Sequence, residues 1–293
     1  MIRFILCVIV VVGFLILSIP ILFVEWIIGK FNPMAKEISS LRIVQAVFRF
    51  ILWISGVKLT VIGEENVPTD VPVLYIGNHR SFFDVPITYP RCPIRTGYIA
   101  KKEMEKVPLL STWMKRLHCL FLDRNDLKQG LKTILTAIEK VKSGISICIF
   151  PEGTRNKNED ELDMLPFHEG SFKIAAKTNC PIIPMAISGS ADIWENHFPR
   201  VKKTHVILEY GKPIYIDQLE KEDKKHLGAY TQNIIHEMLV KNKAQLSCVS
   251  FQQAGQTFRL SCLLFSEASG KIIPAFFPAV FSGLPSAIPH TLP

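Results

Sequence analysis

Residues 77–86 read Gly-Asn-His-Arg-Ser-Phe-Phe-Asp-Val-Pro and follow the apolar run 71–76. His79 therefore stands five residues before a lone carboxylate, Asp84. An imidazole exchanges a proton near neutral pH. A carboxylate on one ring nitrogen fixes the tautomer and leaves the other nitrogen as a general base. The plainer reading is strand-to-helix punctuation, with His79 a capping or core imidazole. Spacing alone does not decide, because His118 and Asp123 repeat it. Context separates the two copies. His79 ends an apolar strand, in a turn where Asn78 tolerates an unusual backbone angle, and a helix-like turn follows. His118 ends a helix and precedes a strand whose far end carries Asp123, about 16 Å away if extended. A structural or surface role is expected for His118.

The second constellation is the run 145–156, Ile-Ser-Ile-Cys-Ile-Phe-Pro-Glu-Gly-Thr-Arg-Asn. Pro151 ends an apolar strand because it has no amide hydrogen for the ladder. Gly153 allows close backbone approach to a ligand. Thr154 and Arg155 offer a hydroxyl and a planar fork of donors that suit a phosphate. Arg124, after Cys119-Leu120-Phe121-Leu122-Asp123, offers a second cation. Against this stands a polar turn in which Glu152 and Arg155 form a solvated pair of little worth.

These residues need a scaffold that brings strand ends together. Seven short runs rich in β-branched residues begin near positions 58, 71, 95, 118, 145, 181 and 204. Helical stretches separate several of them. In the clearest, Leu127, Leu131, Ile134, Leu135, Ile138 and Val141 share one stripe, with Lys128, Lys132 and Lys140 off it, and Gly144 stops it. The expected fold is α/β, a largely parallel, helix-covered sheet of about seven strands, preceded by an N-terminal membrane-associated helical segment. In such sheets ligands sit outside the carboxyl ends of the strands. His79, Arg124 and Glu152 all fall there.

The segment 4–24 carries no charge and would span about 30 Å as a helix, enough for a bilayer core. The competing reading, a cleaved signal peptide, would show a shorter apolar region and a small-residue cleavage site. Residues 41–59 carry Arg42, Gln45 and Arg49 among apolar residues, which fits an interfacial helix along the headgroups or a plain core helix. Lys30, Lys36, Arg42, Arg49 and Lys58 follow the first helix, and only Arg3 precedes it. That bias places the rest of the chain on the cytoplasmic face of the cytoplasmic membrane. The net charge of +8 favours anionic partners, but no nucleic-acid module is recognisable. The seven cysteines form no C-x-x-C pair and read as buried thiols, neither disulfides nor zinc ligands. No H-E-x-x-H, P-loop or G-x-G-x-x-G occurs, so no metal or nucleotide cofactor is indicated. No G-x-S-x-G elbow occurs, and nothing marks Ser81 as an activated nucleophile. The expected organisation is anchoring helices 1–56, an α/β domain 57–246 and a C-terminal extension 247–293 without sustained periodicity.

The blocks at 78–84, 121–124, 150–155 and 182–188 resemble, in order and spacing, the glycerolipid acyltransferase family, in particular its bacterial 1-acyl-sn-glycerol-3-phosphate acyltransferases. The resemblance covers roughly residues 1–246. It departs at His118, where the family often has glycine, and around His168, where the family often has a lysine. The resemblance implies that His79 is the general base and Asp84 orients it. It implies that Arg124, Glu152, Gly153, Thr154 and Arg155 hold the acceptor, and that the block around Pro184 serves the acyl-donor side. Backbone amides of the His79 turn or of the Gly153 turn would steady the oxyanion. The implied reaction forms phosphatidic acid from lysophosphatidic acid and an acyl thioester, acyl-CoA or acyl carrier protein, with no cofactor besides that co-substrate. The same blocks would serve an enzyme acting on glycerol 3-phosphate or another lysophospholipid. A different class, a non-catalytic module binding anionic lipid, would not need the His79–Asp84 pair.

Overall fold

The protein is seen in a computed structural model that describes the backbone of residues 1–269 and the side chains of residues 1–248. The chain opens with a helical hairpin, α1 (Ile2–Phe31) and α2 (Pro33–Ser55). Asn32 makes the corner. Its Oδ1 accepts from the Ala35 amide at 3.0 Å, and Pro33 stands at the first position of α2, where no intrahelical amide is needed. Gly56 closes α2 in the left-handed region, φ 73°.

The body then alternates strands and helices. The strands are β1 (Lys58–Ile62), β2 (Leu74–Gly77), β3 (Thr96–Lys101), β4 (Leu120–Leu122), β5 (Ser146–Ile149), β6 (Ile182–Ser188) and β7 (His205–Tyr210). The helices of the body are α3 (Asp84–Thr88), α4 (Leu110–Arg116), α5 (Leu127–Lys142), α6 (Lys173–Thr178), α7 (Lys221–Lys225) and α8 (Leu227–Ser269). All seven expected strands are present, in one sheet of order β1-β7-β6-β2-β5-β3-β4. Every pairing is parallel except β6 with β7. Strands β2 to β6 therefore end on one edge, and the crossovers diverge on either side of β2.

Each sheet face has its own core. Tyr75, Cys148 and Ile183 face the hairpin, where Val44, Ile51 and Leu52 of α2 meet them. Leu74, Ile76, Ile147 and Ile149 face the other way, onto Ala137, Ile138 and Val141 of α5 and Ile174 of α6. Alternate residues of one strand thus serve opposite layers. Met1–Ser247 form one compact unit, so the hairpin covers a sheet face as part of the body. The boundary expected at 56/57 coincides with Gly56 and divides two parts of a shared core. Of the C-terminal extension, the backbone is helical to Ser269, with no proline between Leu227 and Ser269 to break it. Residues 270–293 lie outside the described residues.

In α2, Gln45 is buried, whereas Arg42 and Arg49 are exposed. Gln45 donates to the Tyr89 and Cys92 carbonyls at 3.3 and 2.9 Å, and Arg49 donates to the Pro90 carbonyl at 3.0 Å. They fasten α2 to the turn after α3, and Met34, Ile38, Phe50 and Trp53 are its exposed large apolar residues. In α5 the buried face is Thr133, Ala137, Ile138 and Val141, whereas Leu127, Leu131 and Leu135 are more than half exposed. The helix is turned because Thr133 and Gln129 both donate to the Phe121 carbonyl, at 3.2 and 2.8 Å.

Candidate active site

The end of β2 is held by a side chain acting as backbone. Asn78 donates to the Ile187 carbonyl at 3.0 Å and accepts from the Ile187 amide at 2.8 Å. Both bonds lie one step beyond the last β2–β6 pair, Gly77 with Met185. Asn78 is not in the positive-φ region expected for it; its amide group, not its backbone freedom, is used.

The next residue is His79. Its Nδ1 lies 2.8 Å from Asp84 Oδ2. That same oxygen accepts from the Arg80 and Ser81 amides, each at 2.8 Å. Asp84 heads α3 and is fully buried. An oxygen that already gathers two hydrogens from amides takes a third from Nδ1, so the ring carries its proton there and leaves Nε2 bare. Nε2 has no hydrogen-bond partner among the described residues, and the side chain is one-fifth exposed. Phe150 stacks on the imidazole, centroids 4.4 Å apart and planes 13° from parallel, which fixes its plane. The spacing at 118–123 makes no such pair: His118 has φ 60° and faces Glu37 at 3.4 Å.

Glu152 lies on the neighbouring strand end. Its Oε1 accepts from the His79 amide at 2.7 Å and its Oε2 from the Leu165 amide at 3.1 Å. It thus ties the β5 turn to the His79 turn. Burial raises its carboxyl above the usual range, and those two amides oppose the rise. Arg80 holds the segment that follows, donating to the carbonyls of Asn158 and Asp160 at 2.6 and 3.1 Å.

Gly153 has φ 72°, a conformation that strains any other residue, and a β-carbon there would come within 3.2 Å of the His168 ring. The Thr154 and Arg155 amides make no hydrogen bond among the described residues, and Thr154 is exposed. By contrast, the Arg80, Ser81 and Phe82 amides are all engaged. Of the two turns expected to steady an oxyanion, only the Gly153 turn keeps amides to spare. Arg155 lies 3.6 Å over the Phe82 ring and 3.4 Å from Glu195. Arg124 lines a cavity of about 430 Å³ with Leu127, Leu131, Phe150, Gly153 and His168. The cavity joins the β4 end to the β5 turn. Pro184 stands apart. It is buried within β6, paired with Ile76, and its carbonyl accepts from the Gly211 amide at 2.9 Å.

The structure thus brings His79, Asp84, Glu152, Gly153 and Arg155 together, sets Arg124 across the adjoining cavity and leaves Pro184 in the sheet. The sequence reading missed Phe150 as the partner of His79, Arg80 as a loop clamp, and Glu195. Phe150 was legible in principle, as the residue two beyond Cys148 and hence on the same face. No local signal marks Glu195.

The general acyltransferase family model matches residues 58–188. A 1-acyl-sn-glycerol-3-phosphate acyltransferase of Haemophilus influenzae is 30% identical over 217 residues, covering 72% of this chain and 85% of that protein. One of Cocos nucifera is 33% identical over 179 residues, covering 61% and 56%. The chain spans between 56% and 66% of the length of the coconut, yeast and Limnanthes relatives. The crystal structure of a 1-acyl-sn-glycerophosphate acyltransferase from Thermotoga maritima shares the fold, with TM-score 0.69 at 22% identity over 83% of this chain and 95% of that one.

Proposed function

This chain belongs to the acyltransferase family, among relatives named 1-acyl-sn-glycerol-3-phosphate acyltransferases, and on that premise we propose that it acylates the sn-2 hydroxyl of lysophosphatidic acid to form phosphatidic acid. The observation that carries the proposal is the His79–Asp84 pair, with Nδ1 engaged and Nε2 bare beside donors without partners. Nε2 takes the proton of the acceptor hydroxyl as its oxygen attacks the acyl thioester carbonyl. Asp84, held by two amides, steadies the imidazolium that forms. The tetrahedral oxyanion is met by the Thr154 or Arg155 amide in the Gly153 turn. Collapse expels the thiolate, which recovers a proton from the imidazolium, and no covalent acyl-enzyme is needed. Arg155 and Arg124 hold the acceptor's phosphate. Glu152 acts by fastening the two turns together. The donor is an acyl thioester, acyl-CoA or acyl carrier protein, and the reaction uses no metal or other cofactor.

The hairpin supports attachment to a membrane. Along the outer side of α1, Ile5, Ile9, Val12, Ile16, Leu17, Ile19, Phe23 and Val24 are exposed, and Phe50 and Trp53 continue that face on α2. The inner side touches the body along its length. Phe4 stacks on Trp194, Trp113 donates to Ser18 Oγ at 2.9 Å, and Arg116 donates to the Leu22 carbonyl at 2.8 Å. These contacts span roughly 27 Å of helix. They favour a hairpin lying in one leaflet over one crossing the bilayer, and the cationic bias after α1 favours the cytoplasmic face.

An acceptor panel with one acyl-CoA, read by product mass, tests the proposal. Lysophosphatidic acid should give phosphatidic acid, and His79→Ala should lower the rate about 10²–10⁴-fold with fold and vesicle binding intact. A His79→Ala protein that keeps most of its activity refutes the base. Product only from glycerol 3-phosphate or from another lysophospholipid reassigns the acceptor.

A further inference from the structure

Glu195 is a carboxylate held among the donors expected to serve the acceptor. It begins the short turn Glu195–His197 after β6, more than a hundred residues from the catalytic turn it touches. Its Oε2 accepts from Ser81 Oγ at 2.7 Å. Its Oε1 accepts from the Phe82 amide at 2.7 Å and from the Arg155 guanidinium at 3.4 Å. The guanidinium rides on the Phe82 ring. Trp194, the residue before, packs against Phe82 at 5.4 Å and against Phe4 of α1 at 5.6 Å. One acid therefore joins the turn that carries His79 to Arg155.

Phosphate and carboxylate seek the same guanidinium donors. The contact to Arg155 is long and involves one terminal nitrogen, so the other N–H groups stay open while their direction is set. A partly exposed pair of this kind aligns the cation without holding it tightly. We propose that Glu195 is a positioning residue that fastens the His79 turn to Arg155, and that its charge tempers how tightly the acceptor's phosphate is held. The inference rests on the reading of Arg155 as a phosphate-holding group.

Two substitutions separate the two parts of the role. Glu195→Gln keeps an oxygen for Ser81 or Phe82 and removes the charge. It should lower the acceptor KM by about three- to fivefold and alter kcat less. Glu195→Ala releases the catalytic turn and should lower kcat by roughly tenfold. An unchanged KM in Glu195→Gln overturns the charge role, and an unchanged kcat in Glu195→Ala overturns the positioning role. A third measurement needs no turnover. Arg155 is labelled with phenylglyoxal, followed by mass spectrometry, with inorganic phosphate as competitor. Phosphate should protect Arg155 at severalfold lower concentration in Glu195→Gln than in the parent. If lysophosphatidic acid is not a substrate yet that difference persists, the proposed reaction falls and the role of Glu195 stands. Equal protection in both proteins overturns it whatever the acceptor.

Discussion

The turn after β2 and the turn after β5 leave neighbouring parallel strands and are built in opposite ways. Around His79 most polar groups are engaged, the buried Asp84 Oδ1 being an exception. Asn78 is bonded to Ile187, Asp84 gathers three donors on one oxygen, Phe82 and Ser81 are tied to Glu195, and Phe150 holds the ring. Around Gly153 groups are left open: two amides without partners, an exposed Thr154, and Arg124 with no hydrogen bond or ion pair among the described residues. A proton acceptor works by being held still, so its surroundings are satisfied within the protein. A cradle for an anion works by offering donors that nothing else occupies. Glu152 and Glu195 are the joints between the two.

The sharpest way to break this contrast is Asp84→Asn. The amide keeps one acceptor oxygen but no negative charge, so its hold on the Nδ1 hydrogen weakens and it no longer steadies an imidazolium. We expect kcat to fall about 10²–10⁴-fold. Steady-state kinetics within tenfold of the parent would mean that the satisfied turn does not set the rate. Next comes Arg155→Ala, on the open side. It should raise the acceptor KM roughly tenfold or more with a smaller change in kcat; a pure kcat effect would erase the distinction between the turns. Outside both turns, the double change Phe50→Ser and Trp53→Ser should weaken partition to phospholipid vesicles about tenfold. Activity on a water-soluble short-chain acceptor should be unaffected, and an equal loss there would tie the hairpin to the chemistry.

The smallest effect concerns His118, the other half of the repeated spacing. Burial, with Lys140 Nζ 3.4 Å from Nδ1, pulls this imidazole below the ordinary histidine range, against the pull of Glu37. The folded chain then binds the proton less readily than the unfolded chain. Its contribution to stability is full above the ordinary histidine pKa and is lost as pH falls through the folded value. His118→Gln should flatten the decline of Tm in that interval by a degree or so, as thermal melts across pH would show. A slope equal to that of the parent would mean His118 is not sensed by the fold.

Much of the fold was legible because it rests on local rules. Strand runs bounded by Gly and Pro appear as seven strands, and their parallel arrangement follows from the helices between them. Residues at strand ends then had to share an edge, which is why His79, Asp84, Glu152 and Arg155 could be named together. The rotation of α5 was not legible. Its leucines form a clean stripe, but two hydrogen bonds to the Phe121 carbonyl from Thr133 and Gln129 set which face turns inward. Nor was the partner of Arg49, the Pro90 carbonyl, which lies 41 residues along the chain.

By itself the sequence determined which chemical groups exist, the seven strands and the edge on which His79, Glu152 and Arg155 must meet, because those depend on side-chain type and on contacts between near neighbours. Only the tertiary structure decided that Glu195 joins the two turns, that Phe150 lies under the imidazole and that Gln45 and Arg49 of α2 bond to the turn after α3. Those contacts link residues tens to more than a hundred positions apart, and no spacing along a chain encodes which of its distant segments will be brought within hydrogen-bonding reach.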